Sequence, residues 1–308
     1  MKRVDIYPKF ARNMLVLMFA VFALCIVLLI LKQKFDLPNG NAGSFAAVAS
    51  VFLFFPLAST AQYILNINDT EGRNHAFREA KELQDFISPL LTDLDYEVKV
   101  GQYSSHDLNA FAISSVFGRT ALIGFSTQLV VQASKEELLA IAAHEVAHLR
   151  NGDTRNKAYV LAFNHALKFY PWIIAELSRR GLKQAAVPVG CIVLVAVIAI
   201  ALLAGPTQAF RFLWSLAQGI APFVCRAGIC ILFFVALEHA LNRIFCSYSR
   251  AREFAADADG ASMTSPKAMV SALGLLTDPG TAVSIFDTHP PLQERKQRLL
   301  EIITDKNT

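Results

Sequence analysis

The sequence predicts a mainly α-helical membrane protein with about four transmembrane helices and a small α+β domain that contains a β-hairpin or short sheet. Three observations point to this class. Of 308 residues, 54% are hydrophobic and only 18% charged, and the mean hydropathy is +0.40, more apolar than a soluble domain sustains. The apolar residues are clumped into long, nearly uncharged runs over 13–31, 43–67, 185–204 and 212–237; roughly 20 such residues cross a bilayer as a helix. Between the second and third runs the pattern changes to amphipathic and alternating segments, which need water on one side.

Taken in chain order, the first run follows Lys2, Arg3, Lys9 and Arg12 but is too long for the apolar part of a signal peptide. Lys32, Gln33 and Lys34 then stand where a small-residue cleavage site would be needed. It reads as a retained anchor, and residues 1–67 form a two-helix membrane segment. Over 69–88, Ala76, Ala80, Leu83 and Ile87 recur at helical spacing, and 96–100 alternates like a short strand. Two further apolar arms, near 110–114 and 120–125, flank Phe117, Gly118 and Arg119, which suit a hairpin turn.

Ser134, with Glu137 three residues on, is a capping box for the helix that carries LLAIAAHEVAHLR, and Asn151 and Gly152 suit its C-terminal end. Beyond the fourth apolar run, the alanine-rich SYSRAREFAADADGASM continues as helix. Ser265 and Pro266 open a short helix that Asp278, Pro279 and Gly280 end, and THPPLQERKQRLLEIIT over 288–304 reads as a final helix.

Composition also excludes partners. The net charge of +4 is mild and the basic residues are scattered, which argues against nucleic-acid binding. Five cysteines stand at 25, 191, 225, 230 and 246, none in a CxxC pair and four inside apolar runs. They read as small buried hydrophobes rather than metal ligands or disulfides.

The chemistry lies in AIAAHEVAHLRNGD. On a helix His144 and His148, four residues apart, share a face and can both reach one ion at about 2.0 Å. Glu145 lies one step round, where it can take a proton from a water held at the metal. The metzincin pattern places glycine and histidine at positions 151 and 154, but Asn151 and Thr154 stand there, which excludes that class. The third ligand is then a distant carboxylate. Glu253 is the best candidate, with Asp257 one turn later as the carboxylate that accepts the free N–H of a ligating histidine.

HEVAHLRNGD, SRAREFAAD, NAFA and THPPLQER, in this order and among apolar spans, resemble the HtpX family of integral-membrane zinc metallopeptidases, relatives of the CAAX prenyl endoproteases. The resemblance covers most of the chain. It implies a gluzincin-type α+β zinc metalloprotease domain with one Zn2+ per chain, held by His144, His148 and Glu253, and Glu145 as general base. It implies that Asn109, Ala110 and Phe111 lie by an edge strand that pairs with extended substrate. It further implies that His289 and Arg295 approach the active site, where they could stabilise the developing oxyanion. Polypeptides, among them misfolded or damaged membrane proteins, are the implied substrates, and the bacterial inner (plasma) membrane the implied location.

An ion cannot draw ligands from opposite sides of a bilayer, so the crossings between His148 and Glu253 must be even in number. The runs 185–204 and 212–237 make a hairpin over 184–238, although Arg226 within the second needs helices or water beside it. The stretch 159–177 contains His165, Lys168, Pro171 and Glu176 and reads as an interfacial helix. The catalytic part thus comes in two pieces, 68–183 and 239–308, and the excess of positive residues in them and at the N-terminus places the site on the cytoplasmic side. Two rivals stand beside this reading. A CAAX-type prenyl protease should have more spans, and a catalytically inactive membrane scaffold or chaperone would have no need of an intact Glu145.

Overall fold

The computed structural model describes residues 6–35, 41–65, 76–276 and 289–305. The element order is α1 (Ile6–Lys34), α2 (Asn41–Leu65), β1 (Arg78–Glu79), α3 (Lys81–Leu91), β2 (Glu97–Tyr103), β3 (Ala110–Ser114), β4 (Thr120–Ser126), α4 (Thr127–Gln132), α5 (Lys135–Arg150), α6 (Asp153–Ala204), α7 (Pro206–Met263), α8 (Pro266–Leu275) and α9 (Leu292–Asp305). The molecule is mainly helical with one small mixed sheet, as the sequence predicts. Among the described residues four helices are long and apolar enough to cross a membrane: α1, α2 over Gly43–Gln62, α6 over Val187–Ala204, and α7.

The chain divides into two compact units, 1–163 with 242–308, and 164–241. The second comprises two helical arms, from α6 and α7, joined at Gly205, whose φ of 90° is one that a residue with a Cβ rarely adopts. Lys168 and Glu238 link the arms at 2.8 Å. The stretch 159–177, which the sequence separates from the run after it, is continuous with it in the single helix α6.

In the first unit the sheet has the order β1-β2-β4-β3. β2 and β4 are parallel, with Gly101 beside Gly124, while β3 runs antiparallel to β4 and β1 antiparallel to β2. The expected hairpin is therefore present as β3 and β4, with β3 at the rim of the sheet. Against the sheet pack Leu83 and Ile87 of α3 and Leu138, Ile141, Val146 and Leu149 of α5, joined by Met269 and Leu273 of α8 and Leu299 of α9. α5 is buried over most of its length, so it is the central helix and needs no single apolar stripe.

Its ends are fixed as the sequence predicts. The Ser134 hydroxyl accepts from the Glu137 N–H at 3.3 Å, and the Glu137 carboxylate accepts from the Ser134 N–H at 2.9 Å. At the other end the Asn151 N–H donates to the Ala147 carbonyl, and Gly152 turns the chain with φ 69°. Ser265 caps α8 by accepting from the Ala268 N–H.

The first expected helix, over 69–88, is corrected. Residues 69–75 lie outside the described residues, Ala76 has a left-handed φ of 49°, and 78–79 form β1. Helix begins only at Lys81, because the Ala80 N–H donates to the Val100 carbonyl and extends the pairing with β2. Of the four spaced residues only Leu83 and Ile87 form the buried face of α3; β-pairing overrode a periodicity that rested on two alanines. The expected end of α8 at 278–280 and the expected start of the last helix at Thr288 also lie outside the described residues. α9 begins after Pro290 and Pro291, with the Arg295 N–H donating to the Pro291 carbonyl.

Candidate active site

α5 and α7 bring together the side chains that the sequence singles out. The His144 and His148 rings, one turn apart on α5, stand edge to face with centroids 4.7 Å apart, and their Nε2 atoms are separated by 3.1 Å. The Glu253 carboxylate of α7 approaches both, 3.6 Å from His144 Nε2 and 3.5 Å from His148 Nε2. Among the described residues this is the one group of at least three His, Cys, Asp or Glu side chains placed to hold an ion, with all ligand atoms within 4.8 Å of one another. Donors at about 2.0–2.1 Å from a tetrahedral ion stand roughly 3.3 Å apart, so the three observed separations fit a small divalent metal.

Each imidazole has its own carboxylate on the far nitrogen. His144 Nδ1 lies 3.0 Å from Asp257 Oδ1, at an angle too oblique for a good hydrogen bond, so Asp257 orients that ring chiefly by charge. His148 Nδ1 lies 3.0 Å from Asp153 Oδ2, a hydrogen bond. Both carboxylates are anchored by arginine. Arg295 of α9 holds Asp257 through two hydrogen bonds of 2.6 and 2.7 Å, and its Nη1 stands 3.4 Å from Glu253. Arg252 donates to the other oxygen of Asp153 at 2.5 Å.

Charge in this pocket governs protonation. Burial pushes the His148 imidazole down, but the hydrogen bond to Asp153 and the Glu253 charge outweigh it, so the value rises to about 10. For His144 burial again opposes, and Asp257 and Glu253 again prevail and raise it. Both directions belong to the metal-free protein, and a bound metal would compete with protons for these rings.

The group opens into a cavity of about 770 Å3 lined by Glu145, Tyr103, Asn109 to Ala112, and His289. Asn109 caps the start of β3 with its side-chain oxygen on the Ala110 N–H at 2.9 Å. Phe111 lays its ring across Gly124 of β4, where a Cβ would stand 2.5 Å from it, and 5.2 Å from the Tyr103 ring. His289 is at the rim, with 58% of its side chain exposed and Nδ1 3.2 Å from Glu253. Arg295, 5% exposed, lies beneath, its guanidinium occupied by the two carboxylates.

Two participants were missed by sequence reasoning. Asp153 follows His148 by five residues across a helix break, outside the same-face spacings that sequence inspection searches. Tyr103 lines the cavity at the end of β2; burial, then the charges of Glu145 and Asp107, push its phenol up to about 12, which keeps it a hydrogen-bond donor.

Comparison with known proteins places this geometry in context. Residues 78–303 match the family model for peptidase family M48. The protease HtpX homolog of Bacillus subtilis (strain 168) is 27% identical over 288 residues, 86% of this chain and 83% of that one. Protease HtpX of Tolumonas auensis is 27% identical over 221 residues, 66% of each chain. Against the latter the chain therefore spans just under two thirds of the relative's length. The crystal structure of S. mikatae Ste24p matches with a TM-score of 0.42 at 16% identity, over 96% of this chain and 66% of that one, a likeness too loose to carry weight.

Proposed function

The chain belongs to peptidase family M48, and on that premise we propose that it is a membrane-bound zinc endopeptidase acting on misfolded or damaged membrane proteins, as its resemblance to the HtpX proteases implies. The observation that carries the reading is the convergence of His144, His148 and Glu253 beside Glu145, in one cavity bordered by the rim of a sheet. Two imidazoles and one carboxylate are a donor set that suits catalytic zinc, and one ion per chain is expected. Once bound, zinc supplies a Lewis acid that polarises the scissile carbonyl and makes water nucleophilic at neutral pH.

The protein's own groups supply the rest. β3, at the rim of the sheet, brings Asn109, Ala110 and Phe111 against an extended polypeptide. Glu145 takes the proton of the attacking water and delivers it to the departing amine. His289, exposed at the rim, donates a hydrogen bond to the carbonyl oxygen as charge develops there. Arg295 is engaged with Asp257 and Glu253, so its part is to hold those carboxylates in place. Residues 1–67 serve as anchor and 184–238 as a returning hairpin, with 68–183 and 239–308 as the catalytic pieces, facing the cytoplasm of a bacterial inner membrane.

The test is proteolysis of a permanently unfolded polypeptide such as casein by the full chain purified in detergent. Chelator should stop cleavage and zinc restore it. Glu145→Gln should retain stoichiometric zinc while the rate falls on the order of 10²–10⁴-fold. Equal rates for variant and parent would overturn the assignment.

A further inference from the structure

We infer that Gly260 is a positioning residue: its missing side chain sets the spacing between the two helices that together form the metal-binding group. The inference rests on the metal reading above. α7 carries Glu253, Asp257 and Gly260 at steps of four and then three residues, the spacing of a single helix face. Gly260 is two turns, about 10 Å, beyond Glu253.

A Cβ built at 260 would lie 3.0 Å from the backbone N of His144 and 3.2 Å from its Cα, and 2.6 Å from Cε of Met269 on α8. The methionine end is flexible and can turn aside. The α5 backbone cannot, unless the helix itself moves. Gly260 is not among the glycines with positive φ, so local conformation does not call for glycine, and in a helix interior glycine costs about 1 kcal/mol relative to alanine. What glycine provides is close approach. Ala143 and Ala147 on α5 and Ala256 and Ala261 on α7 are small and buried as well.

The contact point is His144 itself. Any outward shift of α5 at this residue moves its Nε2 away from Glu253, now 3.6 Å distant, and widens the group as a whole. A wider group holds small ions worse and large ions relatively better.

The experiment compares the parent, Gly260→Ala, Met269→Ala, the double variant, and Gly219→Ala, whose Cβ would meet nothing within 4 Å. Each full chain is stripped with chelator in detergent and titrated with Zn2+ and with the larger Cd2+, and the visible absorption of its Co2+ form is recorded. Zn2+ affinity of Gly260→Ala should fall on the order of 10–100-fold, Cd2+ affinity should fall less, and the Co2+ bands should shift. Gly219→Ala should match the parent, and adding Met269→Ala should not restore Zn2+ binding. Partial unfolding would lower both affinities equally, so an unchanged Cd2+ to Zn2+ ratio in Gly260→Ala overturns the inference, as does restoration by Met269→Ala. A parent that takes up neither ion removes the metal reading and this inference with it.

Discussion

Asp153 and its partners carry the most at the scale of single residues. The carboxylate that orients His148 sits at the first position of α6, brought there by the positive φ of Gly152. Asp153→Asn should lower zinc affinity on the order of 10–100-fold, read by competition with a chromophoric chelator. The raised His148 value fixes the sign of a pH effect. A ligating imidazole must be neutral, so metal uptake near neutrality expels a proton, and affinity should rise with pH by about tenfold per unit for each proton released. Calorimetry in two buffers of different ionisation enthalpy measures the count, and buffer-independent heats would refute it. In the metal-free protein the same pairing stabilises the fold fully below the unfolded histidine value of about 6.5, and that contribution is lost as the pH rises through about 10. His144, Glu145 and His148 were legible because a four-residue repeat on a helix is a local fact. Asp153 was not, since its return to His148 depends on the turn at Gly152.

Helix α5 is an element whose limits the sequence states outright, and its first turn does more than cap. The Glu137 carboxylate also accepts the Ser271 hydroxyl at 2.5 Å, which ties α5 to α8. Ser134→Ala should cost about 1 kcal/mol, seen in thermal or denaturant melting. The Ser271 hydroxyl, and next the Ser134 N–H, hold the Glu137 carboxyl below its ordinary value. Its contribution is therefore present above the unfolded carboxylate value of about 4.3 and disappears as pH falls through the lower folded value. The melting difference between the parent and Glu137→Gln should be visible at neutral pH and should shrink in acid; a difference independent of pH would show that the carboxylate charge plays no part. The region before α3 illustrates the opposite case. Ala76 and Ala80 matched a helical period, but alanine is so small that its spacing says little about which face is buried, and pairing with β2 decided the outcome.

At the scale of the whole molecule, hydropathy alone gave the four apolar helices, whereas the order of the sheet could not be read from it. β3 and β4 are a local hairpin with a visible turn, yet the parallel pairing of β2 with β4 joins segments that no turn connects. The shared metal group makes a topological prediction as well. With the native cysteines replaced, a cysteine at exposed Glu136 and one at exposed Asp259 should react with an impermeant maleimide from the same face of the membrane. Labelling from opposite faces would be incompatible with His144 and Glu253 meeting. The rim position of β3 has a last consequence for a protease placed among the cell's own proteins. A β-ladder recognises main chain, which every polypeptide has, and a folded neighbour has already turned its main chain inward. If β3 pairs with substrate as proposed, compactness is the credential that spares a protein, and losing it exposes the chain to the blade without any recognition sequence.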